Sequence, residues 1–391
     1  MEDHNPPQPP HSQPTPEMKD TINSTSTTPD LTPANSDNNN DKNANMNTIQ
    51  IDHRTNRTLL MHLLHTFIRP FGPKIVRMTC EYPPGSPKLD VPKHATTRCN
   101  VSERVVQDVY IYDMTAKAPH NLPGGSAHPN STRKDPDEKA STQKHKHIYY
   151  FCGGGWRMPA SADHWAFTSK LAASIPNSTV SLISYPLAPK SPAADSLPIL
   201  LALLPVLLES SETANETTIL AGDSAGGNLA LALPLEMLRL AASDPETQPP
   251  PPMPSALLLL SPSVDLRRTN PEIPLLEPKD PLLRAKFIKA TSDVYCGTLS
   301  ASEPRLSPLL VPDEVLHTLR DRGVKVHGVT GGYDILTPDG VLFRERLAGA
   351  GVEGNWLHWE KQMHVFPLAW RYGLRESREA KDWCVEVLRR V

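Results

Sequence analysis

The stretch "TTILAGDSAGGNLALAL", residues 217–233, restricts the fold more than any other part of the sequence. An apolar, β-branched run ends at Ala221, Gly222 to Gly226 fits the pattern G-x-S-x-G around Ser224, and a helix-forming stretch follows. A strand that turns straight into a helix leaves almost no room at the turn, so small residues must flank the serine on both sides. Ser224 would then stand at the carboxyl end of a strand with its hydroxyl exposed. It would also open a helix whose dipole favours developing negative charge. The plainer reading, a small-residue turn that only caps a helix, explains the five letters but not the strand before them.

Beyond residue 50 strand-like segments alternate with helix-like ones, the strands being "ERVVQDVYIYDM", "HIYYFC", "TVSLISYP", "TTILAG", "ALLLLSP", "VKVHGVTG" and "NWLHWEK". This alternation predicts an α/β fold, a mostly parallel central sheet flanked by helices. Two polar, proline-rich stretches interrupt it. The run between the first two strands (116–146) and "SDPETQPPPPMP" (243–254) read as surface insertions.

Residues 1–50 are polar and Asn-rich, and they cannot bury enough surface to offset chain entropy, so a disordered tail is expected there and one domain over 51–391. The tail lacks the apolar core of a signal peptide, which points to a cytoplasmic protein. No stable membrane anchor is expected, because "LLMHLLHTFI" and "LPILLALLPVLL" are too short and the second contains Pro198 and Pro205. A formal net charge of -3 provides no field to hold nucleic acid. The five cysteines form no C-x-x-C pair, and the histidines lack partners at metal-ligand spacing, so no metal is expected.

A serine hydroxyl is a weak nucleophile at neutral pH and requires a base, itself oriented by a third group. Where a G-x-S-x-G serine sits on a sheet of this kind, the chain order is nucleophile, acid, histidine. Past the strand "VKVHGVTG", the segment "GYDILTPDG" offers Asp334 at the strand's end, whereas Asp339 falls a helical turn later and reads as a first-turn residue. After "NWLHWEK", "QMHVFP" supplies His364, while His358 lies inside the strand and reads as a strand-face histidine. Acyl transfer builds charge on a carbonyl oxygen, which backbone N–H groups can stabilise. The amide of Ala225 is one such donor, and the loop "CGGGW" after an earlier strand is placed to supply others.

Taken together, "CGGGW", "YPLAPKSPAADS", "GDSAGGNLAL", "GGYDIL" and "QMHVFP" resemble the hormone-sensitive-lipase-like branch of the α/β-hydrolases, fungal members included, from about residue 100 to the C-terminus. The resemblance implies Ser224 as nucleophile, Asp334 as acid and His364 as base, with an oxyanion hole formed by Gly154, Gly155 and Ala225. It implies a helical cap drawn from about 51–95 and 265–305, a small-molecule ester as substrate, and no cofactor. Its expected activity is hydrolysis of carboxylic esters with small to medium acyl groups, in a fungal secondary-metabolite setting. Elimination or rearrangement of a natural product in the same pocket, a non-catalytic ligand-binding role and an interaction protein acting through its tail are the alternatives. With no heptad seam, the oligomeric state stays open. Two departures stand out: Cys152 replaces the histidine that usually opens the glycine run, and Pro186 and Lys190 replace the usual Arg and Glu of a supporting salt bridge. Pro234 should kink the helix that follows Ser224.

Overall fold

The computed structural model describes residues 48–76, 81–117, 144–244 and 250–391. The expected disorder before residue 48, most of the 116–146 insertion and residues 245–249 of the second insertion lie outside the described residues.

Nine strands make one sheet: β1 (Ile49–Arg54), β2 (Cys99–Val106), β3 (Val109–Ala116), β4 (Lys146–Phe151), β5 (Ser178–Ser184), β6 (Thr217–Asp223), β7 (Ala256–Leu260), β8 (Lys325–Gly331) and β9 (Gly354–Trp359). Their order across the sheet is β1-β9-β8-β7-β6-β4-β5-β3-β2. Only β3 breaks the parallel pattern, pairing antiparallel with both β2 and β5. Strands β4, β6, β7 and β8 are buried on both faces, which is why they read as nearly continuous apolar runs.

The pleat sorts these residues into two cores. Tyr149, Phe151, Leu220, Leu257 and Leu259 face one way, against the helices Ala193–Thr213 and Ser224–Ser243. Ile148, Tyr150, Ile219, Ala221, Leu258 and Leu260 face the other, against the helices Ala162–Ser174 and Arg375–Arg390. Successive residues belong to opposite cores because side chains alternate across a strand.

Two strands depart from the sequence expectation. The segment "ERVVQDVYIYDM" is not one strand but the two arms of a hairpin, since Gln107 and Asp108 both take positive φ (48° and 59°), the geometry of a tight two-residue turn. Residues 49–54, placed at the tail–cap boundary from sequence, form the edge strand β1 paired with β9, so the cap does not begin at 51. Helices Leu59–Ile68 and Gly72–Ile75 do follow it, and Ile273–Leu276 and Ala285–Cys296 occupy the second cap segment. The two segments touch, with Arg284 Nη2 donating to the Arg69 carbonyl at 3.0 Å.

Helix Ala193–Thr213 extends well beyond the expected apolar stretch and is long and apolar enough, by length and composition, to cross a membrane. Here Leu197, Leu200, Leu204 and Leu207, spaced along one face, are each 1–2% exposed and packed on the sheet. Pro198 and Pro205 lie within it, and Pro234 lies within Ser224–Ser243, yet each helix continues through its prolines as one element.

Leu258 sits at the centre of the sheet, between Ala221 and His327, with no exposed surface. Replacing it with alanine should cost about 2–5 kcal/mol of stability, read as a lower urea midpoint at unchanged slope; a loss under about 1 kcal/mol would mean that the two cores close up around the gap.

Candidate active site

The turn after β6 is as tight as the sequence requires. Ser224 takes φ 53°, a left-handed conformation that is strained for a non-glycine residue. Its neighbours must be small because β4 runs directly alongside: a Cβ on Gly226 would lie 2.0 Å from the Phe151 carbonyl oxygen. Asp223 closes the strand and Ser224 opens the helix Ser224–Ser243. The Ala225 amide therefore falls in the first turn, where N–H groups have no carbonyl partner within the helix.

Two chain-distant groups meet the serine. His364, in the loop after β9, places Nε2 2.9 Å from Ser224 Oγ, and its Nδ1 lies 2.8 Å from Asp334 Oδ2, just beyond β8. Asp334 is fully buried and His364 is 7% exposed, while Ser224 keeps more accessible surface than either. Burial pulls the His364 imidazole down, but the adjacent Asp334 carboxylate outweighs it and holds the group above its ordinary 6.5. Such a line of hydroxyl, imidazole and carboxylate can pass the serine proton to the ring and stabilise the charge that results.

The loop after β4 reaches the same edge of the sheet, because β4 pairs with β6 in register Phe151 to Gly222. Gly154 and Gly155 both adopt positive φ (128° and 61°). Asp223 ties this loop to the serine turn. Its Oδ1 accepts from the Gly153 amide at 3.1 Å and from the Tyr150 hydroxyl at 2.8 Å, and its Oδ2 faces His164 Nε2 at 3.2 Å. Burial alone would raise the Asp223 carboxyl, yet His164 and the hydrogen bonds from Tyr150 and Gly153 hold it below the usual carboxylate range. His164 is fixed in turn by Ser161, whose N–H donates to its Nδ1 at 2.9 Å in a capping arrangement.

Neither Asp223 nor His164 was singled out from sequence. Asp223 was visible only as a variable letter of G-x-S-x-G, and His164 as one histidine among 15. Asp280 is a third such residue. It is fully buried in the second cap segment, and its carboxylate accepts from the amides of Leu282 (2.8 Å), Leu283 (2.9 Å) and Ile335 (3.0 Å). Burial, together with the nearby Asp334 charge, pushes it up to about 6.

The remaining sequence assignments fall away from the serine. Asp339 does lie in the first turn of helix Thr337–Gly349, but it is buried and accepts from Asn270 Nδ2 at 2.7 Å rather than capping into solvent. His358 stays on β9 beside Thr330 Oγ1, at 3.0 Å. His147 pairs with Glu216 at 3.0 Å, and among the described residues no cluster of three or more possible metal ligands occurs. Cys152 is 2% exposed, and burial pushes its thiol well above the usual range, as for a packed side chain. In the "YPLAPK" segment Lys190 reaches Glu81 at 3.8 Å, an exposed pair. A surface cleft of about 580 Å³, lined by Tyr333, Leu342, His358 and Glu360 among others, includes neither Ser224 nor His364.

Comparison with known proteins places this arrangement in context. A family model described as the alpha/beta hydrolase fold matches residues 148–368. An esterase of Acinetobacter venetianus is 29% identical over 239 residues, covering 59% of this chain and 73% of the relative. An esterase of Gibberella moniliformis is likewise 29% identical, over 226 residues, covering 56% of this chain and 67% of the relative. Among solved structures, a hormone-sensitive lipase from a metagenome library superposes with a TM-score of 0.60 at 22% identity, over 84% of this chain and 97% of that one. An esterase from the bacterial hormone-sensitive lipase family gives 0.61 at 20%, over 86% and 99%. At such identities the structural likeness speaks for the fold.

Asp223→Asn should cost about 1.5–3 kcal/mol, since one of its two carboxylate acceptors becomes an N–H₂ donor and the charge-assisted bond from His164 Nε2 is lost. A carboxyl held low in the folded state contributes its stability above its ordinary 3.8 and loses it as pH falls through the lower folded value. Urea unfolding should therefore separate wild type from variant fully at neutral pH and bring them together below about pH 4; a gap that persists at low pH would assign the loss to packing instead.

Proposed function

The chain belongs to the alpha/beta hydrolase fold family, and on that premise we propose that it is a serine hydrolase cleaving carboxylic esters of small to medium acyl groups, with Ser224 as nucleophile, His364 as base and Asp334 as the orienting acid. The observation that carries this reading is the continuous contact from Ser224 Oγ to His364 Nε2 (2.9 Å) and from His364 Nδ1 to Asp334 Oδ2 (2.8 Å). Its likeness to two esterases supports the substrate class. A role in fungal secondary metabolism belongs to the same proposal; the Gibberella relative bears on its fungal part alone.

The reaction runs in two steps. Ser224 Oγ attacks the ester carbonyl while His364 Nε2 takes its proton, and the imidazolium so formed is stabilised by Asp334. Negative charge gathers on the carbonyl oxygen, where the amides of Gly154, Gly155 and Ala225 receive it; removing one donor of this kind typically costs roughly 10²–10³ in rate. The alcohol leaves with the proton from His364. Water, activated by the same imidazole, then releases the acid and restores the serine.

Labelling by a fluorophosphonate, followed by intact mass, should add one adduct to the wild type and none to Ser224→Ala, and p-nitrophenyl ester turnover should vanish in that variant. Undiminished turnover without Ser224 would remove it from the mechanism. A second expectation concerns pH. The base must be neutral to accept a proton, so kcat/KM should rise with pH through a midpoint above the ordinary histidine value of 6.5; a midpoint at or below it would mean that Asp334 does not support the imidazole as proposed.

A further inference from the structure

Helix Leu59–Ile68 is apolar on two faces, and the fold covers only one of them. Met61 and His65 are buried, and Leu64 and Ile68 are half-buried against the core that holds Trp359 and Phe366. Leu59, Leu60, Leu63 and Phe67 fall together on another flank of the helix, because a turn takes about 3.6 residues. All four are exposed, Leu59 and Phe67 at 71% each. The stripe continues beyond the helix: the rings of Phe67 and Phe71 lie 5.7 Å apart, and Ile75, four residues on in helix Gly72–Ile75, is exposed as well. Apolar side chains scattered singly over a surface are ordinary, but a run of them marks a place where something binds.

The same stretch carries charge of one sign. No Asp or Glu occurs between Asp52 and Glu81, whereas Arg57, Arg69 and Lys74 flank the apolar side chains. Lys361 joins them in space: with Arg57, Thr58, Leu59 and His62 it lines a shallow surface pocket of about 380 Å³ that no carboxylate borders. Arg57 is held by His62 at 2.7 Å and lies over the Tyr333 ring, and neither neighbour is an anion. The carboxylate at this end of the helix, Glu376, is buried and accepts from the Thr58 hydroxyl at 3.1 Å. Among the described residues, none forms an ion pair within 4.0 Å with Arg57, Arg69, Lys74 or Lys361.

We propose that this face docks on an anionic phospholipid bilayer, with Leu59, Leu60, Leu63, Phe67, Phe71 and Ile75 dipping below the headgroups and Arg57, Arg69, Lys74 and Lys361 meeting lipid phosphates. Apolar side chains bordered by cations are what such a surface recognises. The ten residues of the helix, at about 1.5 Å each, reach only half of a hydrocarbon core about 30 Å thick, so the helix lies on the membrane and does not cross it. A second copy of the chain fits less well, because a two-fold interface would set these cations against their own counterparts. Residues 1–47 offer no cover of matching chemistry, since Ile22 and Leu31 are their only branched aliphatic residues and they contain no Phe, Tyr or Trp. The formal net charge of -3 does not oppose docking, as salt at physiological strength limits the reach of each charge to about 8 Å. This inference goes beyond the esterase reading and stands without it. It has a bearing on the site all the same: the inner face of the helix sets the His65 ring 6.5 Å from that of Tyr333, the residue next to Asp334.

Vesicle co-sedimentation of the full chain tests it, with phosphatidylcholine alone and with a two-to-one mixture of phosphatidylcholine and phosphatidylserine. The wild type should bind the mixed vesicles far better than the neutral ones and be released by high salt. In the double variant Arg69→Gln/Lys74→Gln the partition coefficient on mixed vesicles should fall about 25-fold, at about fivefold for each cation. In Leu63→Gln/Phe67→Gln it should fall by at least about 100-fold, because two apolar side chains no longer leave water. All four side chains are exposed, so both variants should keep the wild-type Tm, which separates lost docking from lost folding. A wild type that leaves mixed vesicles unbound, or binding undiminished in either double variant, overturns the proposal. So does a wild type that is dimeric in vesicle-free solution while Leu63→Gln/Phe67→Gln is monomeric, since the face would then be an interface between copies. Ester turnover enters none of these readouts, so the outcome leaves the esterase reading to its own test.

Discussion

Close approach of β4 to the turn after β6 is the constraint on which the site depends. With the Phe151 carbonyl oxygen only 2.0 Å from where a Cβ on Gly226 would sit, the end of β4 is in direct backbone contact with the first turn of the helix Ser224–Ser243. That contact fixes where the serine turn lies relative to the loop that begins at Cys152. It also keeps Ser224 at φ 53°, since the surrounding sheet and helix leave the turn no relaxed alternative. The strain is sustained by neighbours that could not move without opening both cores.

Electrostatics builds on that frame by giving buried carboxylates different surroundings. Asp223 has a histidine, a tyrosine hydroxyl and a glycine amide, and it is held low. Asp280 has backbone amides, but burial, and after it the like charge of Asp334, push it up. Together they brace the proposed machinery from two sides: Asp223 joins the glycine loop to the serine turn, while Asp280 takes the amide of Ile335, next to the acid, and so anchors the cap segment to it. The small apolar cluster of Ile273, Leu283, Ile288, Ile335 and Leu336 seals the same junction. Cap position and acid position are thus coupled through one carboxylate and five side chains.

How much of this could be read from sequence follows from what is local. Ser224, Asp334 and His364 each stand just past an apolar strand, so periodicity and order were enough to single them out, and the fold brings them within hydrogen-bonding distance. The parallel sheet was legible for the same reason, because doubly buried strands announce themselves as apolar runs. What escaped was either weak or distant. Edge strand β1 has only one well-buried residue, Ile49, and offers little apolar signal. The hairpin turn at Gln107 and Asp108 lacks the glycine that usually marks one. The pairing of Asp223 with His164 spans 59 positions, and that of Asp280 with Ile335 spans 55, so only the folded chain makes either partner meaningful.

Cys152 shows why one such departure from the family pattern is compatible with the rest. A histidine at this position would support the glycine loop through its side chain, and a buried neutral thiol offers little in exchange. Here the loop is held through its backbone instead. The Tyr185 hydroxyl donates to the Cys152 carbonyl at 2.7 Å, the Gly153 amide donates to Asp223, and the Ala188 amide donates to the Trp156 carbonyl at 2.9 Å. Two of these bonds tie the loop to the "YPLAPK" segment just past β5 and one ties it to the serine turn, and none of them involves the side chain at 152. With the loop already positioned by its neighbours, that side chain is free to be chosen for packing against Tyr150 and the rest of its core.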